Sequence, residues 1–426
     1  MEILVVGSGG REHAIIKKLK ESPLCAKIHC APGNGGIAAE GVLCHPVQAS
    51  DLEGILALAK GLEPDFTVVA PDDPLVLGLV DLLEKNGFAC FGPTKAAARL
   101  EGSKVFSKGL MKKYGIPTAR YEVFDDAGAA SEYIRAQKGY PLVLKADGLA
   151  LGKGVLIAES QSEALLAVRS LMEEKKFGES GAQIVIEEFL RGPEVTALCL
   201  SDGETIRPLA SSMDHKRALD GDLGLNTGGM GTIAPSPLFT KELEALCMER
   251  IFQPTVDFMR AEGQPFKGCL YVGLMLTESG PYVVEYNCRF GDPEAQVVLP
   301  LLEGDLLKLM LACRNGGLKE AEMAQKPGAA ACVVLASGGY PEGYKTGCPI
   351  RGLDERGGRA GLEVIHAGTK LEDGRFFTAG GRVLGLTARG DSLQGALRAA
   401  YKAAEEIGFE GCHFRRDIGR RAVEGR

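Results

Sequence analysis

No segment of the 426-residue sequence approaches the roughly 20 consecutive apolar residues that a membrane-crossing helix needs. The opening run, Met-Glu-Ile-Leu-Val-Val-Gly, has no basic leader, no long apolar core and no small-residue cleavage site, so a buried strand is expected there rather than a signal. Basic charge is also in deficit. A formal net charge of -7 argues against a nucleic-acid-binding surface, and the one basic cluster, Arg415-Arg416 to Arg420-Arg421, reads as a solvated or salt-bridged terminus. Cys-x-x-Cys is absent among the twelve cysteines, several of which (Cys199, Cys269, Cys332) lie in apolar runs, so reduced core thiols and a cytoplasmic location are expected. There is no internal repeat and no low-complexity segment. What is there is ordinary globular composition, with length for about two to four domains and a sizeable core. The expectation is an α/β multi-domain chain, monomeric, with small-molecule partners and neither nucleic acid nor membrane.

In the first third, short β-branched runs alternate with helical segments: Ile3 to Val6, Glu12 to Lys20, Lys27 to Cys30, Phe66 to Ala70 and Ala89 to Phe91. Such interleaving predicts a doubly wound parallel sheet, in which ligands bind beyond the carboxyl ends of the strands. The loops in that position are Gly7 to Arg11, Ala31 to Gly36 and Pro71 to Pro74. Gly7-Ser8-Gly9-Gly10-Arg11-Glu12-His13 joins a strand to a helix, where free N–H groups attract an anion, and Arg11 suits a phosphomonoester. A dinucleotide fingerprint is disfavoured, because Glu12 stands at the third glycine position and no acidic residue closes the second strand. Ala31-Pro32-Gly33-Asn34-Gly35-Gly36 is a weaker signal, since Gly and Asn serve any tight turn. Pro71-Asp72-Asp73-Pro74 is either a turn with a helix cap or a site for sugar hydroxyls.

A boundary follows near Phe91-Gly92-Pro93, then Leu100 to Lys104 leads into a helix expected over Val105 to Tyr114. The strand Tyr140 to Lys145 runs into a hairpin containing Gly148, Gly152, Lys153 and Gly154. Its glycines let backbone approach phosphates, and Lys145 and Lys153 supply charge for a triphosphate, although a mobile hairpin with solvated lysines fits the same residues. The strand Ile184 to Leu190 ends in Glu187-Glu188, with Glu194 beyond a turn, which fits a hinge for adenine followed by a carboxylate for ribose.

Further on, the strands Cys269 to Leu276 and Tyr282 to Asn287 flank the turn Thr277 to Gly280. Alternation puts Glu285 and Asn287 on one face and Tyr286 on the other. Two oxygen ligands so spaced suit Mg²⁺, which keeps waters and phosphate oxygens; pairing of Glu285 with a lysine is the plain alternative. In Arg289-Phe290-Gly291-Asp292-Pro293-Glu294, Asp292 and Pro293 read as helix N-cap and first-turn proline, whereas Arg289 suits transferring phosphoryl charge. Asp214-His215-Lys216-Arg217 supplies charge beside Asn226-Thr227-Gly228-Gly229-Met230-Gly231, a loop whose N–H groups suit a carboxylate or phosphoryl group. For His215, positioning and proton transfer are both open, and no general base is assigned.

This order resembles the ATP-grasp ligases, and the motifs together, including Ile365 to Thr369 and Arg415 to Gly419, resemble the phosphoribosylamine-glycine ligase family over nearly the whole chain. The resemblance implies a central ATP-grasp fold of two α+β lobes and a small C-terminal α+β domain. It divides the chain at 1–104, 105–329 (with a lid at about 120–190) and 330–426. It also implies ATP, with Mg²⁺ or Mn²⁺ on Glu285 and Asn287, and ligation of glycine to 5-phosphoribosylamine through glycyl phosphate in purine synthesis. Catalytic roles then fall to Arg289, Lys145 and Asp292. Nucleotide contacts fall to Lys104, Lys145, Gly152, Lys153, Glu187, Glu188, Leu190 and Glu194. Substrate contacts fall to Gly9, Gly10, Arg11, Asn34, Asp73, Asp214, Lys216, Asn226, Thr227, Gly228, Gly229 and Gly291. Asp73, Met213 and Leu151 depart from the family pattern, at Glu, Gln and a small residue respectively.

Residues 330–426 show no catalytic cluster, and no downstream purine enzyme is expected after them. Two rivals stay open: another ATP-grasp reaction such as carboxylation with bicarbonate, and a nucleotide-binding module without turnover. Lys145, Glu285, Asn287 and Arg289 together argue against the second.

Overall fold

The structure, a computed structural model, describes residues 1–149, 154–174 and 181–424. Near the amino terminus, the strands Glu2–Gly7, Lys27–Pro32, Leu43–Cys44, Phe66–Val69 and Cys90–Phe91 form a parallel sheet. Counting strands along the chain, their order across the sheet is 3-2-1-4-5. The first and fourth strands are neighbours, and the chain leaves them in opposite directions. That is a topological switch point, and it opens the crevice where the loops after Gly7 and Val69 face each other. From Ile3 onward the first strand is buried, as is all of the fourth, which is why both read as nearly unbroken apolar runs without alternation.

The central region has two lobes. The smaller is an antiparallel sheet of Tyr121–Phe124, Ile184–Glu188, Leu142–Ala146 and Val155–Ala158, in that spatial order. The helices Ala127–Ala136 and Gln161–Val168 cover it around Ile134, Leu144, Ala164 and Leu171. The larger is an antiparallel sheet in the order Ile206–Pro208, Glu194–Asp202, Lys267–Thr277, Gly280–Asn287. The strand expected from Tyr140 begins at Leu142, and the one expected to reach Leu190 ends at Glu188.

The C-terminal sheet runs Met213–Asp214, Gly231–Ala234, Ala329–Ala336, Arg382–Gly390, Glu363–His366. Two strands from the central region therefore complete it, tying the residue 213–234 segment to residues beyond 330. The helix Ala295–Leu301 is buried on every side, which accounts for its apolar sequence. It packs between the helix Gly10–Leu19 and the C-terminal sheet. Gly10 is required by that approach: a Cβ there would lie 2.5 Å from Gln296 Nε2.

Amino- and carboxyl-terminal regions also meet through buried histidines. His366 N–H donates to His13 Nδ1 (2.8 Å), which leaves His13 Nε2 to donate to Glu40 (3.1 Å). His366 Nε2 donates to Gly357 O (2.9 Å) and its Nδ1 accepts from Thr369 Oγ1 (3.0 Å). Protonating the accepting nitrogen of either ring would set a donor against a donor. Burial, with His13 adding to it, drives His366 down to about 3 from an ordinary 6.5. Because the folded value is the lower one, the stability that neutral His366 contributes is present above about 6.5 and is lost as pH falls toward about 3. In NMR titration the His366 ring shifts are expected to stay flat from about pH 8 to about pH 5. A midpoint near its ordinary value would show that the ring is not held neutral.

Candidate active site

A cavity of about 930 Å³ lies between the two central lobes, the switch-point crevice and the C-terminal region. Lys145 reaches it from the strand Leu142–Ala146 and pairs with Glu187 Oε2 (3.0 Å), which Lys108 also meets (3.1 Å). Lys145 Nζ further donates to Val284 O (3.1 Å). That carbonyl is free because the ladder shifts from Gly273↔Glu285 to Leu274↔Val283, leaving Val284 in a bulge. Burial pulls Lys108 down to about 8. Glu187 and Glu188 do not act as one pair: alternation turns Glu188 to Arg120, whose N–H and Nε both donate to it (2.9 and 2.8 Å). Lys104, capped into its helix by Ser103, donates to Gly148 O (2.9 Å). Glu188, Leu190 and Glu194 line the same cavity. Gly152 and Lys153 lie outside the described residues, as does Leu151.

Opposite these lysines stands the strand Gly280–Asn287. Glu285 and Asn287 line the cavity, while Tyr286 is buried behind with its hydroxyl 2.7 Å from Thr255 Oγ1. The expected two-faced alternation holds. Against the cost of burial, Lys216, Lys145, Lys104 and Arg289 lower Glu285 to about 2. Lys216 Nζ is 3.7 Å from its Oε1 and pairs more closely with Glu194. No cluster of three or more His, Cys, Asp or Glu side chains suited to a metal exists among the described residues. An ionised carboxylate, a neighbouring amide and nothing further fit a hard cation that draws its other ligands from phosphate and water.

Arg289 joins this strand to the switch point. Its Nη2 meets Glu101 Oε1 at 3.1 Å, and Glu101 Oε2 accepts from Cys288 N–H at 2.6 Å. Arg289 Nε is buried without a partner among the described residues, so donor capacity is left for a ligand. Burial pushes Glu101 up to about 7 in spite of the guanidinium. Glu101 was not singled out from sequence, and a lone glutamate near a helix end carries no local signal.

In the amino-terminal crevice, Arg11 lines the cavity, held by Glu12 Oε1 (2.6 Å) and by donation to Phe290 O (3.3 Å). Glu12 also accepts from Gly9 N–H (2.5 Å), which already occupies one N–H expected to meet a phosphate. Gly9 and Gly10 lie beside Asp292 and Gln296. Asn34 is spent on structure: it caps its helix through Gly36 and Ile37 N–H and donates to Ser8 O (2.8 Å) and His366 O (2.9 Å). Asp73, expected to contact substrate, does not line the cavity, whereas its neighbour Asp72 does. The helix Asp72–Leu77 turns Asp73 to solvent and Asp72 into the cavity, where Arg289 and then Arg11 lower its carboxyl against the cost of burial.

The remaining wall is the loop between Asp214 and Gly231. Thr227 N–H and Oγ1 both donate to Lys216 O (2.7 and 2.8 Å), and Thr227 Oγ1 accepts from Gly229 N–H (3.0 Å). Thr227 thus shapes the loop, whereas the Asn226 amide lines the cavity with no protein hydrogen bond among the described residues. Gly229 has φ of 115°, and a Cβ there would lie 2.6 Å from Asp214 Oδ1. Burial and the nearby Glu294 push Asp214 well above the usual carboxylate range. Gly291 leaves room for the Glu294 carboxylate. The N-cap reading of Asp292 is overturned: the helix begins at Ala295 after Glu294, and Asp292 instead accepts from Gln296 Nε2 (2.7 Å) and pairs with Arg382 (3.0 Å). Arg382 also donates to Gly228 O and Asp292 O (2.6 Å each), and Tyr340 Oη accepts from Gly228 N–H (3.1 Å). Residues beyond 330 therefore wall one side of the cleft through Arg382 and Tyr340, without a catalytic cluster of their own among the described residues. His215 donates from Nδ1 to Gly231 O (3.1 Å) and accepts at Nε2 from Gly419 N–H (3.0 Å). Burial and Arg415 hold it down at about 4, so it positions the loop and is not a proton carrier near neutrality.

A parallel switch-point sheet, a small lobe facing a larger one, and a cation-lined cleft ending in Glu285 and Asn287 define an ATP-grasp carboxylate ligase. Three family descriptions cover the chain: the N domain of phosphoribosylglycinamide synthetase over residues 1–101, its ATP-grasp (A) domain over 102–295 and its C domain over 330–421. The chain belongs to the phosphoribosylglycinamide synthetase family. It is 47% identical over 428 residues to a phosphoribosylamine–glycine ligase of Yersinia pestis, covering 99% of each. It is also 47% identical to the trifunctional purine biosynthetic protein adenosine-3 of Gallus gallus, of whose length it spans 42%. The crystal structure of a phosphoribosylamine–glycine ligase of Thermotoga maritima superposes with TM-score 0.83 at 36% identity, over 98% of this chain and 100% of that one. The biotin carboxylase domain of a Hydrogenobacter thermophilus 2-oxoglutarate carboxylase shares the fold alone, at 18% identity and TM-score 0.73. The chain is an enzyme of purine biosynthesis that ligates glycine to phosphoribosylamine with ATP.

Glu101→Gln keeps an acceptor for Cys288 N–H while removing the charge opposite Arg289. Steady-state kinetics are expected to show kcat lowered about tenfold, with little change in thermal midpoint. Unaltered kcat would remove Glu101 from the site.

Proposed function

We propose that the cavity phosphorylates the glycine carboxylate with ATP and lets the amine of 5-phosphoribosylamine displace phosphate from the resulting glycyl phosphate. A glycine carboxylate oxygen attacks the γ-phosphorus, and the bond to ADP breaks. The amine nitrogen then attacks the acyl carbon, phosphate departs with that oxygen, and the amine gives up a proton. The observation that carries this reading is the gathering of Lys104, Lys145, Lys216 and Arg289 with Glu285 on one cavity. A carboxylate is a poor acyl donor, and phosphorylating it gathers negative charge where these cations stand.

Lys104 and Lys145 hold triphosphate oxygens, and the hinge from Glu187 to Leu190 with Glu194 holds adenosine, together with the glycine-loop residues Gly152 and Lys153. Arg289 takes phosphoryl charge through its unpartnered Nε. Asn226 to Gly229, with Lys216, Asp214 and Gly291, border the glycine carboxylate. Arg11 and Asp72 receive the ribose phosphate and hydroxyls, with Gly9 and Gly10 shaping that crevice. Asp292 acts through its pair with Arg382. Glu285 and Asn287 would hold Mg²⁺ or Mn²⁺ together with the phosphate oxygens of the nucleotide. Such an ion would supply neutralisation of the phosphate charge. The regions divide the work as 1–104 for phosphoribosylamine, 105–329 with its lid at about 120–190 for ATP, and 330–426 for the far wall. One chain supplies every wall, which supports a monomer. Twelve free cysteines support a cytoplasmic location.

With glycine labelled by ¹⁸O in its carboxylate, one label is expected in the phosphate released during turnover. Phosphate free of label would rule out the acyl phosphate. Glu285→Ala is expected to lower kcat about a thousandfold with the fold retained by circular dichroism. Near-normal turnover would remove the metal assignment.

A further inference from the structure

The hairpin between Lys216 and Thr227 presents residues to the cavity, yet its own packing does not locate it. Its strands Arg217–Leu219 and Leu223–Asn226 are short, and Leu219, Leu223 and Leu225 stand 48%, 64% and 49% exposed. A two-stranded ribbon with its three leucines exposed is marginal by itself. What holds it comes from the far end of the chain. Arg415 is 1% exposed, a degree of burial that a guanidinium tolerates only when its donors are used. Its Nη1 donates to Arg217 O (3.1 Å) and to Asp222 Oδ1 (2.9 Å), gripping the hairpin at its root and its tip. Its Nε and Nη2 close on Asp417 (2.7 and 2.8 Å), whose Oδ2 also accepts from Gly221 N–H (2.8 Å). Tyr401 fixes the gripping segment to the C-terminal domain: its hydroxyl donates to Arg415 O (3.1 Å) and accepts from Ile418 N–H (2.8 Å).

We propose that Arg415 is a positioning residue for the glycine-facing loop, clasping the 217–226 hairpin to the C-terminal domain so that Lys216 and Asn226 point into the cavity. The proposal rests on the reading that Asn226 to Gly229 border the glycine carboxylate. The clasp enters at the hairpin, and Thr227 carries its effect to Lys216 through their shared hydrogen bonds. Lysine in place of Arg415 keeps the charge and loses the planar fork that reaches a backbone carbonyl and two carboxylates at once. Asp222 lies at the hairpin tip, where it lines the cavity and also pairs with Arg421 (3.1 Å), and its replacement leaves the core of the C-terminal domain intact.

The test uses the full-length enzyme with Arg415→Lys and Asp222→Asn, read by amide hydrogen exchange over residues 217–229 and by KM for each substrate. Both variants are expected to exchange about tenfold faster in the hairpin and to raise KM for glycine about tenfold, with KM for ATP within about twofold. Asp222→Asn is expected to do so without a loss of thermal midpoint. Unchanged exchange overturns the clasp. Glycine and ATP constants that move together, in step with a falling midpoint, reduce Arg415 to a structural role and overturn the proposal. Asn226→Ala in the otherwise unaltered chain judges the underlying reading separately: an unchanged KM for glycine there removes the loop's substrate role, whatever the exchange rates show.

Discussion

The enzyme must keep several positive charges close together, out of bulk water, before the nucleotide that needs them arrives. An isolated buried cation is prohibitively unstable, so most of these lie against a carboxylate, while Lys104 donates to the Gly148 carbonyl and Lys108 shares Glu187 with Lys145. Lys145 has Glu187, Lys216 has Glu194, Arg289 has Glu101, Arg382 has Asp292 and Arg11 has Glu12. Pairing makes this gathering of charge tolerable, and it also fixes where each head group lies. A triphosphate entering such a site meets cations whose orientation has already been set, which is the condition under which electrostatic stabilisation of a developing charge is most effective. Glu285 is different in kind: four cations bias it and it shares only Lys216's outer approach, so its charge stays available.

These pairs also explain why the chain is threaded as it is. Glu101 comes from the helix that closes the amino-terminal region, whereas Arg289 follows the last strand of the large lobe. Asp292 comes from the loop after that strand and Arg382 from the C-terminal sheet. The completion of that sheet by Met213–Asp214 and Gly231–Ala234 serves the same end, since it brings the substrate loop against Arg382 and Tyr340. The regions are joined most firmly where the chemistry is, so the catalytic cleft is also the seam of the molecule.

Local periodicity and turn chemistry revealed much of this in advance. The parallel sheet followed from unbroken β-branched runs alternating with helices, and the facing of Glu285 and Asn287 followed from the two-residue repeat of a strand. Lys145 was left open from sequence between a phosphate contact and a solvated side chain, and its burial against Glu187 on the cavity wall excludes the solvated one. The failures share a cause. Asp72 and Asp73 differ only in which way the first turn of a helix faces, and one residue of rotation decides it. Asp292 had the local pattern of a cap, but a guanidinium ninety residues away in sequence, at Arg382, uses its carboxylate instead. Glu101, Arg382 and Tyr340 have meaning only through partners that the fold brings near.

Asn34 and Gly9 sharpen the same point from the opposite side. Both belong to loops in the right place for a ligand, and both spend hydrogen-bonding capacity on the loop itself. Position beyond a strand end is therefore necessary for a binding group and not sufficient; the group must also be left with a donor or acceptor after the local structure has taken its share. By that measure Arg289 Nε and the Asn226 amide are open, whereas Thr227 Oγ1 and the side chain of Asn34 are already used. The distinction separates residues that shape the cleft from those that touch what enters it, and the sequence pattern treats the two alike.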